Sequence, residues 1–182
     1  MKVREFYTRR AAHDLQLTLA DKRLPLDVLG ICERQGYILR WEEEALDKNE
    51  EAVTYRIRDR YFIFLKKAQG STASCRLRWT LSHELGHIML GHFDQYDLSF
   101  GATSDLGEST AWAINREANI FAEELLMPES FIRKNHARGP EYLRLTCDVS
   151  RQSLAIRLRK LGLEVPGALL GQVAEGMGRY KV

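Results

Sequence analysis

The chain has 182 residues, carries a net charge of +2 at neutral pH and is 45% hydrophobic. That length bounds it to one domain, or one domain with a small appendage, and the nearly balanced charge forces no nucleic-acid partner. It contains no run of about eighteen apolar residues that would suggest a membrane span, and the N-terminus lacks the apolar core of a secretory signal. Cys32, Cys75 and Cys147 are widely scattered and lack C-x-x-C spacing, which fits reduced packing thiols in a cytoplasmic protein.

In chain order, a first helix is predicted over residues 5–21 and a second from Pro25 to Arg34, with Pro25 in its first turn and Gly36 at the position of a C-cap. Tyr37 to Trp41 reads as a short strand. The acidic run from Glu42 to Glu51 reads as a solvated connection. Val53 to Arg58 and Tyr61 to Leu65 are rich in β-branched and aromatic residues and read as a hairpin. Gln69 to Thr72 is a loop leading into a helix from Arg76 to Leu90, which Gly91 is placed to end. Phe93 to Ser109 reads as a polar loop, and Ala111 to Met127 as a strong helix that Pro128 stops. The remainder reads as helical pieces broken at Gly139-Pro140 and Pro166-Gly167. The expected organisation is an N-terminal helix (1–23), a main domain (24–163) and a tail (164–182).

The chemistry concentrates in His83-Glu84-Leu85-Gly86-His87. Residues four apart lie one above the other on a helix, so both imidazoles can reach one metal ion. Zinc accepts imidazole nitrogen in tetrahedral geometry. Glu84 would then be the general base for a water whose pKa the metal lowers. The flanking residues Leu77, Trp79, Leu81, Ile88, Met89 and Leu90 are apolar, so the helix is expected to be largely buried. Polar groups on such a helix need partners. Gly86 costs about 0.5–1 kcal/mol relative to alanine inside a helix and marks a close approach of backbone or ligand.

About thirty residues on comes Arg116-Glu117-Ala118-Asn119-Ile120-Phe121-Ala122-Glu123-Glu124-Leu125-Leu126-Met127-Pro128. With Arg76-Leu77-Arg78-Trp79-Thr80-Leu81-Ser82 leading into the H-E-L-G-H, this pair of motifs resembles the ImmA/IrrE-type metallopeptidases. The similarity extends from Leu24-Pro25-Leu26-Asp27 through Val149-Ser150-Arg151-Gln152-Ser153-Leu154 to Leu161-Gly162-Leu163, roughly residues 24–163. The resemblance implies a helix-rich α+β single domain, zincin-like, with a short mixed or antiparallel sheet packed on the motif helix. It implies a gluzincin-like site holding one zinc per chain through His83, His87 and one residue of the second helix. It also implies an endopeptidase whose substrate is a regulatory protein, such as a helix-turn-helix repressor in mobile-element or stress-response control.

The chain departs from the family pattern at the third ligand, where the family's glutamate aligns with Asn115. Asn119, one turn on, would share that face and orient a ligand histidine from behind. Glu117 lies about 200° around the helix from Asn115. His92 follows Gly91 and could turn inward if the chain breaks there, and Glu108 could reach in from the preceding loop. The third ligand thus stays open among Asn115, Glu117 and His92. Candidates for a second electrophilic group are His136, Tyr96 and Tyr142. Tyr61 to Leu65 is either an edge strand able to receive a peptide or an internal strand.

A rival reading starts from residues 144–163, which look like a helix-turn-helix with Ser150 capping the second helix. Residues 131–160 hold eight Lys/Arg against Glu141 and Asp148, a net +6 that could contact phosphates. Against it, Leu154, Ile156, Leu158, Leu161 and Leu163 must pack somewhere, which favours a structural support. The two functions carried forward are a zinc endopeptidase and a catalytically impaired, metal-stabilised module that binds a repressor or DNA.

Overall fold

In the computed structural model, which describes residues 2–42, 44, 46, 50–67, 73–96, 98 and 106–170, the chain runs α1 (Glu5–Thr18), α2 (Val28–Arg34), β1 (Ile38–Arg40), β2 (Ala52–Ile57), β3 (Arg60–Leu65), α3 (Ala73–Met89) and α4 (His92–Gln95). It continues through α5 (Glu108–Leu126), α6 (Glu129–Asn135), a 3-10 turn at His136–Arg138, α7 (Pro140–Cys147), α8 (Arg151–Lys160) and α9 (Gly167–Leu170). The fold is α+β and helix-rich. Among the described residues no helix is long and apolar enough to cross a membrane.

The hairpin forms over the expected residues, closed at Ile57↔Arg60, with Arg58 at φ 55°, the positive φ that the first central residue of a two-residue hairpin turn adopts. β1 pairs parallel to β3, giving the order β1-β3-β2. Tyr61 to Leu65 is therefore internal, and among the described residues β1 and β2 are the two edge strands. Thr54 lies opposite the fully buried Ile63, and directly opposed side chains share a face of an antiparallel pair. Thr54 thus points at α3 beneath the sheet.

Two local expectations shift. Pro25 lies outside α2, because Asp27 caps that helix by accepting from the Gly30 amide at 2.9 Å, so the helix begins at Val28. The segment after Gly91 opens with a helical turn, α4. Gly91 adopts φ 68°, which redirects the chain between α3 and α4. Most of the remaining interval before α5, and the tip of the acidic run, lie outside the described residues, as does the whole loop from Gln69 to Thr72.

The core is built on α3 against α5. A Cβ on Gly86 would stand 3.1 Å from the Cα of Ala118 and 3.2 Å from its carbonyl oxygen, so the two backbones touch at this level. α1 closes the opposite side, with Ala12 and Leu15 packed among Leu85, Phe121 and Leu125. Ile63, Leu65, Leu81, Ile114, Leu126, Leu154 and Leu158 form the larger cluster beneath the sheet. Each fully buried Leu, Ile or Phe side chain contributes roughly 1.5–3 kcal/mol.

The basic C-terminal third is tied into this core. Ser150 caps α8 by accepting from the Ser153 amide at 3.1 Å. Leu154, Ala155, Arg157 and Leu158 face inward. Arg157, fully buried, donates to the Met127 carbonyl at 3.1 Å and to Glu124 at 2.5 Å, while Lys160 pairs with Glu123. Arg133 pairs with Glu129, and Arg144 and Arg151 share Glu141. Five of the eight basic residues of that stretch are thus held by carboxylates, which leaves less free charge for phosphate contacts than the sequence suggests. Arg78, from the motif helix, donates to the carbonyls of Cys147 and Asp148 at 2.9 and 2.6 Å and anchors the end of α7.

Candidate metal centre

α3 carries His83 and His87 one turn apart with Glu84 beside the first, and α5 lies across them. A cleft of about 170 Å³ opens at this crossing. Its polar lining is Glu50, His83, Glu84, His87 and Asn115, and its apolar lining is Ala52, Val53, Phe93 and Leu98. Three of the five histidines make a continuous chain of contacts there. His83 Nδ1 is 3.0 Å from Asn119 Oδ1, the Nε2 atoms of His83 and His87 are 3.1 Å apart, and His87 Nδ1 is 3.0 Å from His92 Nδ1. His92 Nε2 is 3.1 Å from Glu117 Oε2.

The protons in this chain follow from what each end can do. Glu117 is ionised: burial pushes its carboxyl up, but hydrogen bonds from the Arg4 side chain and backbone and from His92 outweigh burial and hold it below the usual range. A carboxylate only accepts, so His92 Nε2 donates. Burial holds the His92 ring low and therefore neutral, despite Glu117, so its Nδ1 is a bare lone pair that accepts from His87 Nδ1–H. Burial, with His83 and His92 nearby, also holds His87 well below its ordinary value, so its Nε2 is bare. At the other end the Asn119 amide oxygen accepts from His83 Nδ1–H.

The two Nε2 atoms thus face each other at 3.1 Å. Two nitrogens each about 2.0–2.1 Å from a tetrahedral zinc would stand roughly 3.3 Å apart. The donor set therefore fits a metal. The Asn115 side chain lines the same cleft as the two histidines. Among the described residues no three His, Cys, Asp or Glu side chains gather at one point, because the α5 position facing the two histidines carries an amide.

Glu84 lies beneath β2. Thr54 Oγ1 donates to Glu84 Oε2 at 2.6 Å, both groups being buried. Burial pushes the Glu84 carboxyl up and Glu50 adds to this, while His83 and Thr54 draw it down.

The other candidates are placed as follows. His92 turns inward after Gly91 but meets the Nδ1 side of His87, away from the facing Nε2 atoms. Glu117 faces α1 and is held by Arg4. Glu108 is exposed at the start of α5. Tyr142 lies under the Arg138 guanidinium at 3.6 Å, and His136 reaches the Glu164 carbonyl at 3.4 Å; neither lines the cleft. Tyr96 lies behind His92, with ring centroids 6.2 Å apart. Three residues that sequence reasoning missed are Glu50, Thr54 and Arg4. Alternation along β2 offers a weak signal for Thr54, whereas Glu50 sits in a charge run and Arg4 in a segment with no motif.

The H-E-x-x-H helix of this helix-rich α+β domain floors a cleft lined by two histidines. The chain belongs to the family Peptidase_M78, IrrE N-terminal-like domain, whose model matches residues 32–159. That span covers the sheet, α3 and α5, and leaves α1 outside. No curated protein matches the chain.

Proposed function

We propose that this protein is a zinc-dependent endopeptidase that cuts a regulatory protein of the helix-turn-helix repressor type. The observation that carries the metal is the pair of Nε2 atoms of His83 and His87 facing each other at 3.1 Å, with the Nδ1 of one ring held by Asn119 and of the other by His92. A bound zinc supplies Lewis acidity and a lowered water pKa. His83 and His87 would hold it, and Asn115 faces them from α5. Glu84 takes the proton of the attacking water and passes it to the leaving amine, and its raised carboxyl suits both roles. Thr54 holds that carboxyl in place. β2 borders the cleft through Ala52 and Val53 and has one edge with no strand partner among the described residues, which supports an extended peptide as substrate.

Asn115 favours a second reading, a metal-stabilised module that binds a repressor without cutting it, since an amide brings no charge to the metal. Zinc content per chain by elemental mass spectrometry, with His87→Ala as the control, tests the metal. About one zinc in the wild type, lost in the variant, is expected, and cleavage of a co-encoded repressor by the loaded chain then separates peptidase from binder. No zinc after reconstitution would sink both readings of the site.

A further inference from the structure

We propose that the N-terminal segment is part of the metal centre: Arg4, through Glu117 and His92, holds His87 in the tautomer that leaves Nε2 free for the metal. This rests on reading His83 and His87 as metal ligands. Arg4, Glu117 and His92 are positioning residues, because none of them reaches the facing Nε2 atoms.

The argument begins with burial. Glu117 and His92 are fully inaccessible to solvent, and an ionised carboxylate is costly there unless every acceptor is used. Arg4 uses them. Its backbone N–H donates to Glu117 Oε1 at 2.7 Å, Nε is 3.1 Å from both oxygens and Nη2 is 2.6 Å from Oε2. Arg4 is also the residue from which α1 starts, so this clamp fixes the end of that helix on α5. A guanidinium can only donate, so it keeps the carboxylate an acceptor towards His92. With a single proton on His92, placed at Nε2 by the Glu117 carboxylate, the remaining contact runs from His87 Nδ1–H to His92 Nδ1.

A plain structural ion pair would need only Arg4 and Glu117. Here the pair is continued by a buried imidazole whose second nitrogen contacts the ring of His87 and whose first contacts Glu117. The arrangement supplies from 113 residues away in sequence the outer hydrogen bond that ligand histidines require. It also accounts for a glutamate on α5 that the cleft itself does not use.

The test uses the full chain, wild type and the variants Arg4→Ala, Arg4→Lys and Glu117→Gln, each confirmed folded by circular dichroism. Zinc affinity is measured by competition with a chromophoric chelator, and the His87 tautomer is read from nitrogen-15 imidazole shifts in metal-free protein. Wild type is expected in the Nδ1–H form. Glu117→Gln and Arg4→Ala should lose that preference and bind zinc about 10–100-fold more weakly. Arg4→Lys should fall between, since an ammonium lacks the guanidinium fork. Should Arg4→Ala fail to fold, Glu117→Gln, of nearly equal volume, carries the test. Wild-type affinity with the Nδ1–H tautomer kept in folded variants would overturn the inference while leaving the metal site intact. If the wild type takes up no zinc, the proposed function fails by itself. The metal-free tautomer then decides: Nδ1–H in wild type but not in Glu117→Gln supports the relay, and Nε2–H in wild type overturns it.

Discussion

Thr54 donates its hydroxyl to Glu84 Oε2 at 2.6 Å, joining the edge strand β2 to the H-E-x-x-H helix across 30 residues of sequence. The bond draws the buried carboxyl down against the upward push of burial. Thr54→Val keeps the shape and removes the donor, so the Glu84 carboxyl should rise further. The acid limb of a pH–rate profile on a fluorogenic peptide should move to higher pH, with a loss on the order of tenfold, about 1.4 kcal/mol, below the optimum. Zinc content should not change. An unmoved profile would reduce Thr54 to a packing residue.

Asn115 occupies the α5 position that faces His87 in the cleft. Asn115→Glu places an anionic oxygen where the amide stands. Zinc affinity by chelator competition should tighten by roughly tenfold or more, the scale of a charge-assisted contact of about 1.5–3 kcal/mol. Unchanged affinity would remove Asn115 from the ligand position.

Gly86→Ala should destabilise the chain although alanine is the better helix former. The added Cβ meets the backbone of Ala118 at 3.1 Å, and backbone cannot step aside as a side chain can. Overpacking of this kind costs about 1–3 kcal/mol, against a propensity gain of about 0.8–1.0 kcal/mol. Urea denaturation should show a lower midpoint, and a higher one would mean that α3 and α5 part easily.

The metal-free protein should lose stability as pH falls. Burial holds His87 and His92 below their ordinary values, so below about pH 6.5 the unfolded chain binds protons that the folded chain refuses. Glu117 is held low by Arg4, so its stabilisation is present above about pH 4.3 and is lost as pH falls through its folded value. Glu84, raised by burial, acts oppositely above about pH 4.3, and Glu84→Gln removes that opposing contribution. The urea midpoint in chelator should therefore fall between about pH 7.5 and about pH 5, more steeply in Glu84→Gln. A flat midpoint in that variant would contradict the buried neutral histidines.

Much of the scaffold is legible because its signals are local. Alternation and turn residues mark the hairpin, Pro128 marks the end of α5, and Ser150 marks the start of α8. Periodicity alone separates Glu117 by about 200° from Asn115. It does not say what lies opposite Glu117, and there the fold places Arg4 and His92. The net +6 between residues 131 and 160 is countable in sequence, but its pairing with Glu123, Glu124, Glu129 and Glu141 is not.

By itself the sequence determined that His83 and His87 lie one turn apart on one helix with Glu84 beside the first, because the pitch of a helix is a property of contiguous residues. Tertiary structure alone decided that β3 is internal, that His92 meets His87 at Nδ1, that Glu50 lines the cleft and that Arg4 holds Glu117. Each of those depends on which faces of separate elements meet, and that is settled by the packing of α1, α3, α5 and the sheet around shared apolar contacts rather than by any local pattern.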